Sequence, residues 1–308
     1  MKYTLIFGLA LWAFPSRSCD ICGGVSGNAS IGLFASTQFH MVGIKSNIRT
    51  YRSYLSGIIH SHERVYQQEL TGRWQLTPRW QLFATIPFQI GVQKRDLGRE
   101  VISGLGDPSL IVNHVFLHHK DSSGSTKQFL SAGIGIKTPL GRMAPATSLI
   151  RNLYPGTGAW NISGLLTHTM RLNGHFSIQQ EGIVTYKLAD KNGFRYGNTY
   201  SIASTLIRNN KLGMSRMIVG LGLKAEFFEP SAELGVPMSV NNNQGYDFSS
   251  QISLNYLTNR WLWSCHLMQP ILQNFNNGSM KQGSNVSLSV SYLIKKVKPI
   301  KIKEHEKN

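Results

Sequence analysis

Asn285-Val286-Ser287-Leu288-Ser289-Val290-Ser291-Tyr292-Leu293-Ile294 lies near the C-terminal end of a 308-residue chain. Val286, Leu288, Val290, Tyr292 and Ile294 fall on one face, and Asn285, Ser287, Ser289 and Ser291 on the other. A period of two is the mark of an extended strand with one apolar and one polar side. The pattern recurs upstream. Trp80, Leu82, Ala84, Ile86 and Phe88 share a face within Arg79–Phe88, and Leu130, Ala132, Ile134 and Ile136 do so within Gln128–Lys137. Within Ser215–Phe228 the shared face is Met217, Val219, Leu221, Leu223, Ala225 and Phe227.

Extending this reading predicts twelve strands, at about 38–50, 63–76, 79–91, 106–119, 127–138, 159–171, 175–187, 196–208, 214–228, 246–258, 260–272 and 283–295. The fourth, sixth and eleventh alternate poorly. Most run longer than the five or six residues of soluble sheets, and a tilted membrane strand needs about 9–11. One set of joins is mostly tight (Thr77-Pro78, Leu172–Gly174, Asn209–Leu212, Asn259). The other set is long: Tyr51–His62, Val92–Leu105, Pro139–Gly158, Leu188–Arg195, Glu229–Gly245 and Gln273–Gln282. Short turns on one rim and long loops on the other describe an outer-membrane barrel. An even strand number puts both termini on the short-turn, periplasmic side. A soluble sandwich also alternates, but it buries its apolar face under a second layer, and nothing in this chain supplies one. The expected fold is therefore all-β, a transmembrane antiparallel up-and-down barrel. Trp74, Trp80, Trp160, Trp261, Tyr66, Tyr186, Tyr196 and Tyr292 fall near strand ends, where interfacial girdles sit.

The N-terminus reads as an export signal: Lys2, an apolar Thr4–Phe14, then Ser16 and Ser18 before a cleavage point. Acylation of Cys19 is the alternative. The expected organisation is signal 1–18, a periplasmic or plug segment 19–37, a barrel 38–295 and a basic tail 296–308. No later apolar run reaches the roughly 18–20 residues of a membrane helix, and three cysteines exclude a disulfide scaffold. The net charge of +17 divides into +2 from the signal, +4 from Lys295–Asn308 and +11 from the rest, much of it at predicted loop positions such as Arg49, Arg52, Arg64, Lys94, Arg142 and Arg151. Scattered basic rims suit anionic headgroups and argue against nucleic acid. The expected partners are outer-membrane lipid, small solutes and the barrel-assembly machinery, and no cofactor is expected.

Charges facing lipid at mid-depth cost about 2–4 kcal/mol. Alternation therefore turns Gln67, Glu69, Thr71, Arg73, Gln81, Thr85, Gln179, Glu181, Thr185, Lys187, Lys224, Glu226, Gln251, Ser253 and Asn255 inward. Either they line a selective pore, or they pair across a filled lumen. Twelve strands make a narrower barrel than the open porins. Cys19 and Cys22 form a lone C-x-x-C, which suits a periplasmic disulfide or half of a metal site. His114, His118 and His119 lie on the same predicted side and would be its other ligands. Ser264 and His266 share a strand face, which keeps a lipase reading in view, but a third partner and a G-x-S-x-G elbow are missing. Asp107 precedes Pro108, a turn and strand-start signature, so its expected role is structural. The functional expectation is a channel for passive passage of small solutes, not an enzyme. The alternative is a filled barrel with a structural, adhesion or metal-related role.

Cys19-Asp20-Ile21-Cys22-Gly23-Gly24, Gln38–Gly43, Tyr51-Arg52-Ser53, Gly104-Leu105-Gly106-Asp107-Pro108, Lys137-Thr138-Pro139-Leu140-Gly141-Arg142 and Pro155-Gly156-Thr157-Gly158-Ala159-Trp160 follow in that order. The series resembles a family of Bacteroidota outer-membrane proteins labelled transporters, similar to the barrel family named after the meta-pathway of phenol degradation. The resemblance runs from residue 19 to about 160 and implies a closed barrel that passes small molecules. That family often has a third cysteine where this chain has Gly24, which weakens a metal or redox role for the start.

Overall fold

The computed structural model describes residues 39–55, 58–95, 98–120, 126–145, 148, 150–238 and 243–296. The proposed signal, Cys19, Cys22 and the tail from residue 297 lie outside them. The strands are β1 (Phe39–Leu55), β2 (Ile58–Gln75), β3 (Trp80–Arg95), β4 (Gly98–Leu105), β5 (Ser109–Lys120), β6 (Thr126–Lys137), β7 (Asn161–Arg171), β8 (Phe176–Lys187), β9 (Phe194–Arg195), β10 (Thr199–Leu212), β11 (Ser215–Phe228), β12 (Ala232–Glu233), β13 (Val236–Pro237), β14 (Gly245–Thr258), β15 (Trp261–Phe275) and β16 (Met280–Lys296). All pairings between them are antiparallel. β1 pairs with both β2 and β16, so the sheet closes on itself. β4 and β5 follow one another along β3 and count as one wall strand, giving a closed twelve-stranded barrel. Closure removes the open sheet edges that would leave backbone groups unpaired in lipid. β9, β12 and β13 form a separate three-stranded ribbon in the loops.

Apolar side chains cover the outside. Leu206, Leu221, Ile252 and Leu267 lie in register across four neighbouring strands, and all are exposed on the outer face. Leu221→Arg would place a cation in this band. The expected loss is about 2–4 kcal/mol, read as a lower urea midpoint in lipid vesicles, and an unchanged midpoint would contradict the assignment of this face. Trp74, Trp80, Trp160, Tyr186 and Trp261 sit outside near strand ends as expected. Trp261 meets Tyr292 edge-on at 5.0 Å. Tyr196 does not belong to this girdle: it is buried against Phe194, 4.9 Å away, within the loops.

Three joins expected as long loops are instead zipped into hairpins. β1–β2 pairing continues to Leu55↔Ile58, β3–β4 pairing to Arg95↔Gly98, and β15–β16 pairing resumes at Phe275↔Met280. β1 and β2 reach 17 and 18 residues, beyond the roughly 9–11 that cross a bilayer. Past the membrane, ladder hydrogen bonds still favour pairing although face polarity no longer alternates. The tight turns on the other rim use left-handed residues, Asn259 at φ 48° and Gly213 at φ 60°, which match the twist of a two-residue hairpin.

Two of the poorly alternating strands have local causes. Between β4 and β5, Gly106–Pro108 breaks the wall strand and shifts its parity. Ile102 faces inward before the break, and Ile111, Asn113 and Val115 after it. In β15, Pro270 has no N–H to give, and the β15–β16 ladder is open between Met268 and Phe275. The Gln273 amide bridges the gap: its Nε2 donates to Gln282 O at 2.8 Å, and its Oε1 accepts from Gln282 N at 2.6 Å.

Candidate functional site

The interior wall carries the candidate polar residues. Gln67, Glu69 and Arg73 on β2, Gln81 on β3, Gln179 and Lys187 on β8, and Gln251 and Asn255 on β14 are buried inside the barrel. Thr85, Glu181, Lys224 and Glu226 share the inward faces and are half-buried. They are knitted to neighbours along the same strand or across to the next. Lys45 pairs with Glu69 at 3.4 Å and Lys224 with Glu226 at 2.8 Å. Arg49 Nη2 donates to Gln67 Oε1 at 2.5 Å, Asn113 to Gln81 at 3.3 Å, and Gln251 to Thr205 at 2.8 Å. Buried polar atoms need such partners, because each left alone costs about 1–3 kcal/mol. Arg49, expected at a loop rim, is an interior residue because β1 runs past it. Glu63, also missed, accepts from Ser53 at 3.0 Å, Gln93 at 3.0 Å and Ser61.

The long-loop mouth is lidded. Residues 138–145 and 150–160 fold inward, and their short 3-10 turn, Arg151–Leu153, presents Leu153, only 2% exposed. Leu153 packs in one cluster with Tyr51 of β1, Val65 of β2, Ile102 of β4, Phe228 of β11, Phe275 of β15 and Met280 of β16. Those strands lie along one arc of the wall that runs from β11 through β15, β16, β1 and β2 to β4, so the cluster reaches over much of the mouth. The backbone seats closely as well: Gln89 Nε2 donates to Leu153 O at 3.2 Å, and a Cβ on Gly91 would lie 2.7 Å from that oxygen. The other two long loops join the lid. Arg151 pairs with Asp190 at 3.7 Å and stacks over Phe194 at 4.4 Å, and Asn152 donates to Asn243 Oδ1 at 3.0 Å.

One carboxylate anchors the lid to the wall. Asp107, in the break between β4 and β5, accepts from Gly141 N at 2.9 Å, from Thr157 N at 2.7 Å and from Thr157 Oγ1 at 2.7 Å, and Lys137 Nζ lies at 3.6 Å. The three motifs around Asp107, Gly141 and Thr157, read separately in the sequence, are thus one structure. Their glycines are required by contact. A Cβ on Gly141 would come within 2.6 Å of Gly106 C, and one on Gly156 within 2.6 Å of Gly141 C.

The histidines do not gather. His114 points outward, 4.4 Å from the Trp80 ring. His118 faces Phe129 and bonds Thr126 at 3.1 Å, while His119 is exposed. Among the described residues, no group of three His, Cys, Asp or Glu side chains is placed to hold a metal. Ser264 and His266 share the lumen face, and His266 meets Gln251 at 3.4 Å, so the pair does not face lipid. Cys265 lies half-buried between them in sequence, on the opposite face.

No protein-family model matches the chain, and no curated protein does. Among solved structures it is similar to an outer-membrane channel from Pseudomonas putida F1, at 15% identity and a TM-score of 0.65, covering 84% of this chain and 96% of that one. It is also similar to the β domain of the Bordetella autotransporter BrkA (8% identity, TM-score 0.52, 83% and 100% covered) and to the translocator domain of the Neisseria meningitidis autotransporter NalP (8%, 0.50, 86% and 92%). At these identities the likeness is one of fold: the barrel resembles outer-membrane proteins of Gram-negative bacteria.

Proposed function

We propose that this barrel passes small solutes across an outer membrane through a polar interior whose long-loop mouth is gated by the lid that residues 138–145 and 150–160 form. The observation that carries the reading is the combination of an outward apolar band with an inward wall rich in Gln, Asn, Ser, Thr and paired charges. A lumen meant only to be filled would gain more from apolar side chains, since buried ion pairs rarely add net stability. The sequence motifs that resemble the Bacteroidota transporter family, and the fold shared with a channel, support the same reading. Export by the N-terminal signal and insertion through barrel-assembly machinery belong to it.

Planar-bilayer conductance of the purified full chain tests it. Small, discrete openings are expected, with larger ones when the lid is weakened. Absence of current both from the native barrel and from a lid-weakened variant, each still heat-modifiable on gels, would favour the filled, structural reading instead.

A further inference from the structure

One arc of the interior wall is hollow. On β1, β2, β3, β15 and β16, consecutive inward positions carry Gly43, Thr71, Thr85, Ser264, Ser289 and Ser291, and together they leave a recess open to the lumen. Large side chains frame it. Arg73, 5% exposed, and Lys45 stand at its edge. Phe83, Met41 and Leu262 close its short-turn end. Among the described residues, none that lines it is a carboxylate, and Lys45 of its lining pairs with Glu69 at 3.4 Å. Arg73 lies over the Phe83 ring, 5.6 Å from its centre, which sets the guanidinium beside an aromatic surface. Ser264 lines the recess, and its Oγ, shielded from water, has no hydrogen-bond partner among the described residues.

We infer that this recess binds a small organic monocarboxylate. The carboxylate head meets Arg73 and the serine hydroxyls, and a compact apolar body packs on Phe83, Met41 and Leu262. A guanidinium matches carboxylate geometry and forms the stronger, charge-assisted class of hydrogen bond. The apolar floor excludes inorganic anions as the best occupants, because they have nothing to bury there. The inference deepens the channel reading by naming a solute class for the same interior, and it rests on that reading only for what happens after binding.

The test uses the full chain folded in detergent and two probes of equal shape, benzoate and benzyl alcohol, followed by titration calorimetry and saturation-transfer NMR. Saturable benzoate binding is expected, with benzyl alcohol weaker by about tenfold or more, the worth of one hydrogen bond to a charged group. Arg73→Gln should remove that gap. Ser289→Leu, which fills the recess and leaves both cations in place, should weaken both probes, and gel heat-modifiability checks that each variant is folded. Equal binding of the two probes to the native barrel overturns the inference without any variant, as does full benzoate affinity in R73Q. Binding without bilayer conductance would leave the site standing and remove the channel; conductance without benzoate binding would do the reverse.

Discussion

Replacing Asp107 by alanine is expected to unlatch the lid, raising single-channel conductance severalfold and lowering the temperature at which the barrel loses heat-modifiable migration. The carboxylate is buried, accepts three hydrogen bonds and faces Lys137. Its removal leaves the Gly141 and Thr157 amides without their acceptor and takes from Lys137 its carboxylate. Removing one partner of a buried pair costs about 3–5 kcal/mol, which loosens this end of the lid while Leu153 and the bonds from Arg142 to Leu105 O and Ser103 O still hold it. Asp107→Asn keeps the shape and one acceptor oxygen, so it should fall between the two. Native conductance and native thermal behaviour in D107A would show that the lid is held elsewhere.

Leu153→Ala should open the mouth by a different route. Among the described residues, the side chain is the only part of the lid in the cluster that bridges β1, β2, β4, β11, β15 and β16, apart from the partly buried Ile150 and Tyr154 packed against it. Truncation leaves a cavity, and such losses run to about 2–5 kcal/mol. Because Leu153 takes no part in the wall ladder, the cost falls on lid closure rather than on the barrel. Longer or larger openings are expected, with little change in the urea midpoint of the barrel. A fall in that midpoint with unchanged conductance would make Leu153 a core residue and not a gate. Two variants that share a conductance effect but differ in barrel stability would separate the latch from the lid.

The wall was legible from sequence because lipid and lumen impose opposite polarities on alternate residues. Leu206, Leu221, Ile252 and Leu267 could only face out, and Gln67, Glu69, Lys224 and Gln251 only in. What stayed hidden lies where that contrast ends. Ile58 and Ile59 belong to a hairpin beyond the membrane, so their polarity does not follow the period although their backbone pairs. The parity shift at Gly106–Pro108 looks like poor alternation until β4 and β5 are seen to share β3. The segments containing Gly104–Pro108, Lys137–Arg142 and Pro155–Trp160 stood out as motifs, but their convergence on one carboxylate involves separations of up to 50 residues, which no local pattern encodes. Leu153 gave no signal, since one apolar residue in a loop is ordinary until the strands around it are known.

The seam between β1 and β16 has a consequence for how the molecule comes into being. It joins Phe39 to Lys296 and runs on to Ser53↔Met280, so the first wall strand finds one of its two neighbours only when the last has been made. Contacts of such sequence separation are slow to form. Until then the growing sheet presents two free edges, each able to capture a strand from another chain. Loss of the final strand would therefore not yield a slightly smaller barrel; it would leave a sheet that cannot seal, whose fate is capture or degradation.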